Sequence, residues 1–373
     1  MDVVHNPFDI SFTTVPDVYI QTDTLLKAVN TIVGSASANA YFITGVRGSG
    51  KTVMLNRLVQ ELTRLSSKDL GYKFVEVKLP DSENLITDLF TGLKMLLEPF
   101  NSDLKKISVS FPEVFSVSAE WDTNHIPASM NMAILQMVKV LSKRGFHILI
   151  TMDEIKITPE LKRLAQLFNA MKSYQLNASL LISGLPEMID RIRNEENLTF
   201  LYRAARFYTD TLSGFAMAEN YIKYLQCSNE FAEYLARLTK GYPFAFQVFG
   251  HILYNKIYTP GYGQPVWNKQ LVDSILPDVK NLLFDKAYVK LYEGLPEQER
   301  YYLKFVDDHL RLVDMADKMG WKTGHVGRYR SILLRKRLIV SLQRGYVDYA
   351  LPYFGYYIKQ TTNEMSLFYL GDD

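Results

Sequence analysis

Between residues 40 and 212, short apolar β-forming runs alternate with longer stretches whose apolar positions recur every three to four residues. The runs at 40–44, 72–79, 146–151, 178–183 and 207–212 predict five strands. The stretches at 52–65, 83–97, 129–144 and 158–174, and another from Pro186, have helical spacing; Asp81-Ser82 and Thr158 stand where N-caps belong. Such alternation predicts an α/β fold with a parallel sheet covered on both faces. A helix over 23–32, capped by Thr22 or Asp23, precedes the first strand, and the aperiodic segment 6–20 reads as an extended arm. Residues 107–120 break the rhythm. Val109, Phe111, Val114, Phe115 and Val117 predict a β-hairpin insertion turning near Pro112.

Beyond 212 the strand signal gives way to helices, over 218–258 with an interruption at Lys240-Gly241-Tyr242-Pro243, and again over 270–292 after a loop at 258–264. From 295 the pattern changes once more. Helices are expected over 297–310, 312–319 and 324–337, with a tight turn at Gly320-Trp321-Lys322-Thr323. The runs 338–342 and 346–351 then pair as a hairpin across Arg344-Gly345. Helix-turn-helix followed by a β-hairpin predicts a winged helix. We therefore expect three parts, 1–214, 215–292 and 293–373.

Composition excludes several classes. The 373 residues are 47% hydrophobic and 22% charged, ordinary for globular chains, with a net charge of only +2, so any basic surface must be local. A single cysteine, Cys227, makes no internal disulfide and no cysteine zinc site; it reads as a small buried hydrophobe. Residues 1–8 include Asp2 and lack a basic region followed by an apolar one, and the longest apolar runs, such as 146–152, are too short to span a bilayer. The expectation is a cytoplasmic protein with no membrane partner. The histidines are scattered and take no assigned role.

Two motifs carry chemistry. Gly45-Val46-Arg47-Gly48-Ser49-Gly50-Lys51-Thr52 fits G-x-x-x-x-G-K-[ST] between an apolar strand and an amphipathic helix. Glycines let backbone N–H groups converge on phosphate oxygens, and the helix aims its positive end at the anion. Lys51 is expected on the β- and γ-phosphates of ATP and the Thr52 hydroxyl on Mg²⁺. The second motif is the apolar run Ile148-Leu149-Ile150-Thr151-Met152 ending in Asp153-Glu154. A buried strand delivers its terminal carboxylates to the ligand edge of an α/β sheet. Asp153 is placed to hold Mg²⁺, and Glu154 to polarise an attacking water.

These residues resemble the AAA+ and STAND-type P-loop ATPases, in particular prokaryotic relatives of the origin-recognition initiators. The resemblance runs from Asn6-Pro7-Phe8 to the final domain. It implies a P-loop NTPase core, a helical lid and a C-terminal winged helix, with slow or oligomer-dependent ATP hydrolysis and a homo-oligomer as partner. It also implies a γ-phosphate sensor at Ser183, at the end of Leu180-Leu181-Ile182-Ser183, and an arginine finger at Arg203 or Arg206, aimed at a neighbouring subunit. Gly241-Tyr242-Pro243 looks like the G-x-P segment of the lid. Two departures stand out: the lid stretch lacks a sensor arginine and offers Gln247 as a weak substitute, and Gln21-Thr22 replaces the Gly-Arg dipeptide that commonly precedes the first helix. Adenine contacts are sought near 7–20.

The C-terminal charge distribution suggests a partner. From Lys322 to Arg344 the basic residues are Lys322, Arg328, Arg330, Arg335, Lys336, Arg337 and Arg344, with no Asp or Glu among them. A basic third helix with an arginine at the wing tip suits double-stranded DNA. The alternative is a STAND-like signalling ATPase whose C-terminal domain binds a protein partner.

Overall fold

The computed structural model describes residues 5–12, 15–35, 38–65, 70–80, 84–115, 128–258, 265–307 and 309–369, so the cap expected at Asp81-Ser82 lies outside the described residues. The chain divides into two compact units. One comprises 22–44 and 51–209, the other 1–21, 45–50 and 210–373.

The first unit is a five-stranded sheet with helices between its strands. In chain order these are α1 (Asp23–Val33), β1 (Asn39–Thr44), α2 (Lys51–Arg64), β2 (Lys73–Leu79), α3 (Leu85–Leu97), α4 (Asn101–Ser110), α5 (Pro112–Phe115), α6 (Ala128–Lys143), β3 (Phe146–Met152), α7 (Pro159–Ser173), β4 (Ala178–Gly184), α8 (Pro186–Asn194) and β5 (Ala205–Tyr208). The strand order is β2-β3-β4-β1-β5, and every pairing is parallel. Every residue of β4 is buried, as are all but the first of β1 and of β3. Such continuous apolar strands are what a sheet covered on both faces requires. Register places Ile43 opposite Ser183 and Met152 opposite Ile182, so the C-terminal ends of β1, β3 and β4 share one edge. The expected cap on α7 forms: the Thr158 hydroxyl accepts from the Leu161 N–H at 3.1 Å.

The hairpin expected over 107–120 is not formed where the chain is described. Residues 101–110 and 112–115 are helical, and 116–127 lie outside the described residues. The alternation was misleading because Val109 points outward, 80% exposed, whereas Ile107, Phe111 and Val114 follow helical spacing onto the core. The fifth strand also begins two residues earlier than expected and ends at Tyr208.

The second unit is mainly helical. It contains α9 (Gly214–Leu225), α10 (Asn229–Leu238), α11 (Pro243–Tyr258) and α12 (Lys269–Leu283), which continues through a π-helical turn (Phe284–Tyr288) into α13 (Val289–Glu293). Then come α14 (Glu297–Leu303), α15 (Leu312–Met319), α16 (Thr323–Arg335), the antiparallel pair β6 (Ile339–Ser341) and β7 (Val347–Tyr349), and α17 (Phe354–Tyr369). α14 is shorter than expected, and Asp307 accepts the His309 N–H at 2.9 Å, a local turn that competes with helix. α17 places Phe354 and Tyr357 in the core. One hydrophobic core runs through this unit, from Phe8 and Val46 to Tyr288, Leu333 and Phe354. Polar ties reinforce it: Lys240 Nζ reaches Asp348 at 2.6 Å, the Tyr349 hydroxyl donates to the Leu303 carbonyl, and the Tyr288 hydroxyl to the Pro352 carbonyl. No described helix is long and apolar enough to cross a membrane.

His147 supplies a test of the sheet's interior. Its ring is 2% exposed, hydrogen-bonded to Ser179 at 2.9 Å and packed on Phe74, and burial pushes its pKa down to about 4. The unfolded chain therefore binds a proton that the folded one refuses, and stability falls as pH drops from the unfolded value towards 4. From pH 7 to pH 5 the loss from this group should be about 2 kcal/mol. Urea unfolding of the wild-type chain and of His147→Asn at both pH values checks it; equal pH dependence in the two contradicts it.

Candidate functional site

The sheet edge defined by β1, β4 and β3 gathers three polar side chains. Asp153, the first residue after β3, accepts from the Thr52 hydroxyl at 2.7 Å on one oxygen and from the Ser183 hydroxyl on the other. The second oxygen also takes the Glu154 N–H at 3.2 Å. Thr52 lies in the first turn of α2 and Ser183 is fully buried near the end of β4. Glu154 is exposed and has φ +50°, a conformation that costs a non-glycine residue energy and recurs at functional sites. Beside them, at the end of β1, the Thr44 hydroxyl is buried with no hydrogen-bond partner.

The predicted finger arginines differ. Arg206, on β5, pairs with Asp190 at 2.9 Å and reaches the Tyr208 hydroxyl. Arg203 is exposed and precedes β5, towards the end of the sheet where β1 begins. Neither is brought to the Asp153 cluster.

The loop Gly45–Gly50 packs with the second unit. Gly48 has φ +75° and Gly50 φ +83°, values that L side chains rarely adopt. A Cβ at Gly50 would meet nothing within 4 Å, so backbone conformation alone calls for glycine there; a Cβ at Gly48 would come 2.0 Å from the Tyr242 hydroxyl. Ser49 is tied down by its hydroxyl to the Val46 carbonyl at 2.7 Å. The Tyr242 hydroxyl donates to the Arg47 carbonyl at 2.6 Å, and Arg47 Nε donates to the Lys286 carbonyl at 3.1 Å. Burial raises the Tyr242 pKa far above the ordinary phenol value, so the hydroxyl stays a donor.

The donor set fits a magnesium nucleotide. Thr52 and Asp153 present hard oxygen donors whose hydrogen-bonded separation of 2.7 Å is close to the roughly 2.9 Å between adjacent ligands of an octahedral Mg²⁺. Among the described residues no cluster of three His, Cys, Asp or Glu forms a metal site. A Mg²⁺ that takes most of its ligands from phosphates and water needs none.

Gln247 is engaged elsewhere. Its side chain accepts from the Asp9 N–H at 3.0 Å and donates to the Val18 carbonyl at 2.8 Å, so it clamps the N-terminal arm and leaves the expected sensor position without a substitute. The arm is fixed further by Phe8, buried among Tyr221, Tyr224, Phe246 and Tyr254. Phe12 has φ +66° and packs on Phe244, and Arg47 lies 6.0 Å from its ring. Sequence patterns did not single out Phe12, Tyr242 or Lys286; an aromatic residue inside the G-x-P segment was the one available signal.

The basic stretch 322–344 is sorted by the fold. Lys322, Arg328, Arg335 and Arg344 are exposed. Arg328 and Arg335 lie seven residues apart on α16, about 10 Å along its axis and on the same face as the exposed Gly324, Gly327 and Ser331. Arg330 is half-buried and donates to the Ser341 hydroxyl, and Arg337 is half-buried with φ +56°. Lys336 is not a surface charge: it pairs with Glu299 at 2.8 Å, with side chains 12% and 7% exposed.

Comparison with known proteins agrees with this architecture. A family model described as a domain of unknown function (DUF8462) matches residues 285–358. No curated protein matches the chain. Among solved structures, the ORC2 protein of Aeropyrum pernix is similar over 92% of this chain and 93% of its own, at 12% identity and a TM-score of 0.54. Cdc6p of Pyrobaculum aerophilum covers 95% and 97% at 14% identity and a TM-score of 0.46, and a RuvB variant of Thermotoga maritima 88% and 91% at 14% and 0.41. At such identities the likeness concerns the fold, and the first comparison carries it. The fold is that of the AAA+ P-loop NTPases, as in the origin-recognition proteins.

The Lys336–Glu299 pair separates structure from surface charge. Lys336→Ala leaves a buried carboxylate unpaired and should cost about 3–5 kcal/mol in urea unfolding. A loss no larger than that of Arg328→Ala, an exposed neighbour, would place Lys336 on the surface.

Proposed function

We propose that the chain is a Mg²⁺-dependent ATP-binding and hydrolysing switch of the AAA+ initiator type, coupling ATP state to DNA binding through a C-terminal winged helix. The observation that carries the nucleotide part is the Asp153 carboxylate shared by Thr52 and Ser183 at the sheet edge that follows a phosphate-loop sequence. In this reading Lys51 and the amides of Gly45–Thr52 hold phosphates, Thr52 and Asp153 hold Mg²⁺, and Ser183 senses the γ-phosphate. Bound Mg²⁺ supplies charge neutralisation for the transferred phosphoryl group. Glu154, exposed and held in a strained conformation, orients the attacking water. Arg203 is the better candidate finger for a neighbouring subunit, because Arg206 is committed to Asp190. An arginine acting between subunits makes turnover depend on a homo-oligomer.

The DNA part rests on the exposed pair Arg328 and Arg335, on a helix whose face also carries Gly324 and Gly327 and so lets a phosphate backbone approach closely. Lys322, at the start of that helix, and Arg344, in the hairpin turn, are exposed as well, while Arg330 and Arg337 are half-buried. A specific observation favours a second reading, a STAND-like ATPase that binds a protein: Val340 and Leu342, two residues apart on the hairpin, are 41% and 55% exposed.

Glu154→Gln should keep ATP binding and lower turnover by at least about a hundredfold, measured as phosphate release. Unchanged turnover removes Glu154 from this role. Duplex binding should weaken with salt at about −0.9 in log–log slope per phosphate contact, and Arg328→Ala with Arg335→Ala should flatten that slope by up to about two contacts. Undetectable duplex binding at low salt, with and without ATP, leaves the protein-partner reading.

A further inference from the structure

The hydroxyl of Tyr242 ends on the phosphate loop itself. It donates to the Arg47 carbonyl at 2.6 Å from a ring that is 3% exposed, so the contact is shielded from water. Among the described residues there are no cis peptide bonds, and in a trans peptide the carbonyl and the following N–H point in opposite directions. Holding the Arg47 carbonyl towards Tyr242 therefore turns the Gly48 N–H away from Tyr242. Gly48 sits in the left-handed region, and the Tyr242 hydroxyl occupies the place a Cβ would need. Together, hydroxyl and ring hold one peptide of the loop in a single orientation.

The anchor of that ring lies in the same unit. Tyr242 packs on Tyr288, with centroids 6.3 Å apart, and Tyr288 donates to the Pro352 carbonyl at 2.7 Å. Tyr288 ends the π-helical turn Phe284–Tyr288, and the Lys286 carbonyl in that turn accepts from Arg47 Nε at 3.1 Å. An irregular turn of this kind frees carbonyls from the regular helical pattern and recurs at functional sites. Arg47 is thus held at its carbonyl by Tyr242 and at its guanidinium by the turn on which Tyr242 rests.

We propose that Tyr242 is a positioning residue of the nucleotide site: through the Arg47 carbonyl it sets the Arg47–Gly48 peptide so that the Gly48 N–H serves as a donor to the phosphates beyond the α-phosphate. It acts through the backbone and touches no substrate atom. With Gln247 committed to the arm, Tyr242 makes a hydrogen-bonded link from the helical segment after Gly241 to the phosphate loop, and Phe244 packs beside it against Gly48. This inference rests on the nucleotide reading above.

The test compares ADP with AMP, both in Mg²⁺, by isothermal titration on the full chain, for wild type, Tyr242→Phe and Lys51→Ala. Tyr242→Phe keeps the ring and its packing and removes only the hydroxyl. It should weaken ADP about three- to tenfold, because the Arg47–Gly48 peptide loses its fixed orientation, and AMP by less than about twofold. The unfolding temperature without nucleotide should fall modestly, because the Arg47 carbonyl loses its shielded donor, and the split between ADP and AMP is the readout that this loss alone does not produce. Equal ADP affinity in wild type and Tyr242→Phe overturns the assignment, and so does equal weakening of ADP and AMP, which is what a purely structural role produces. If ADP binding is lost in Lys51→Ala and intact in Tyr242→Phe, the nucleotide reading stands and this inference falls. If the wild-type chain binds no ADP, the reading itself fails and takes the inference with it.

Discussion

The order of five parallel strands decides what can meet at the edge of the sheet. β4 lies between β1 and β3, so the residues that follow or end those strands arrive side by side. Asp153 then finds Ser183 on the adjacent strand and Thr52 on the helix after β1, and its carboxylate accepts from both. Side chains alternate across a strand, so a one-residue slip of β3 against β4 would send Asp153 to the opposite face and exchange the side chains packed on the two covered faces. β1, β3 and β4 are buried on both faces, so close packing of particular side chains against the covering helices holds the register. The same apolar packing that stabilises the sheet therefore positions its chemistry.

A second constraint comes from the phosphate loop, which is packed by the unit that contains the C-terminal helices. Val46 contributes to that unit's core, Arg47 is held at both ends, and Gly48 lies against an aromatic ring. The arm is fixed to the same helices by Gln247, His251 and the Phe8 cage. Shared core residues and the Lys240–Asp348 and Tyr288–Pro352 ties bind the helices after 214 to the hairpin module. In the switch we propose, a change in the loop is mechanically continuous with the module that carries Arg328 and Arg335.

Much of this was legible in the sequence. Five strands, the phosphate loop and the terminal acids of β3 are local patterns, visible because a buried parallel strand and a glycine-rich turn each have a strict composition. The helices at 101–115 were not, because the alternation of Ile107, Val109 and Phe111 mimics a strand until Val109 is seen to face solvent. The fate of Gln247 and of Lys336 depends on long-range partners, Asp9, Val18 and Glu299, which no local pattern announces. The same holds for Tyr242, whose partner Arg47 lies far away in the chain. The strand order, which brings Ser183 to Asp153, also follows from packing and not from spacing.

The central claim is that this chain binds ATP with Mg²⁺ at Gly45–Thr52 and Asp153. Equilibrium dialysis of the purified chain against ATP, with Mg²⁺ and with the metal chelated, tests it most directly. The account expects saturable binding that approaches about one ATP per chain, weakens when Mg²⁺ is removed and disappears in Lys51→Ala. No saturable binding by the wild-type chain at millimolar ATP, or binding that survives unchanged in Lys51→Ala, would contradict it.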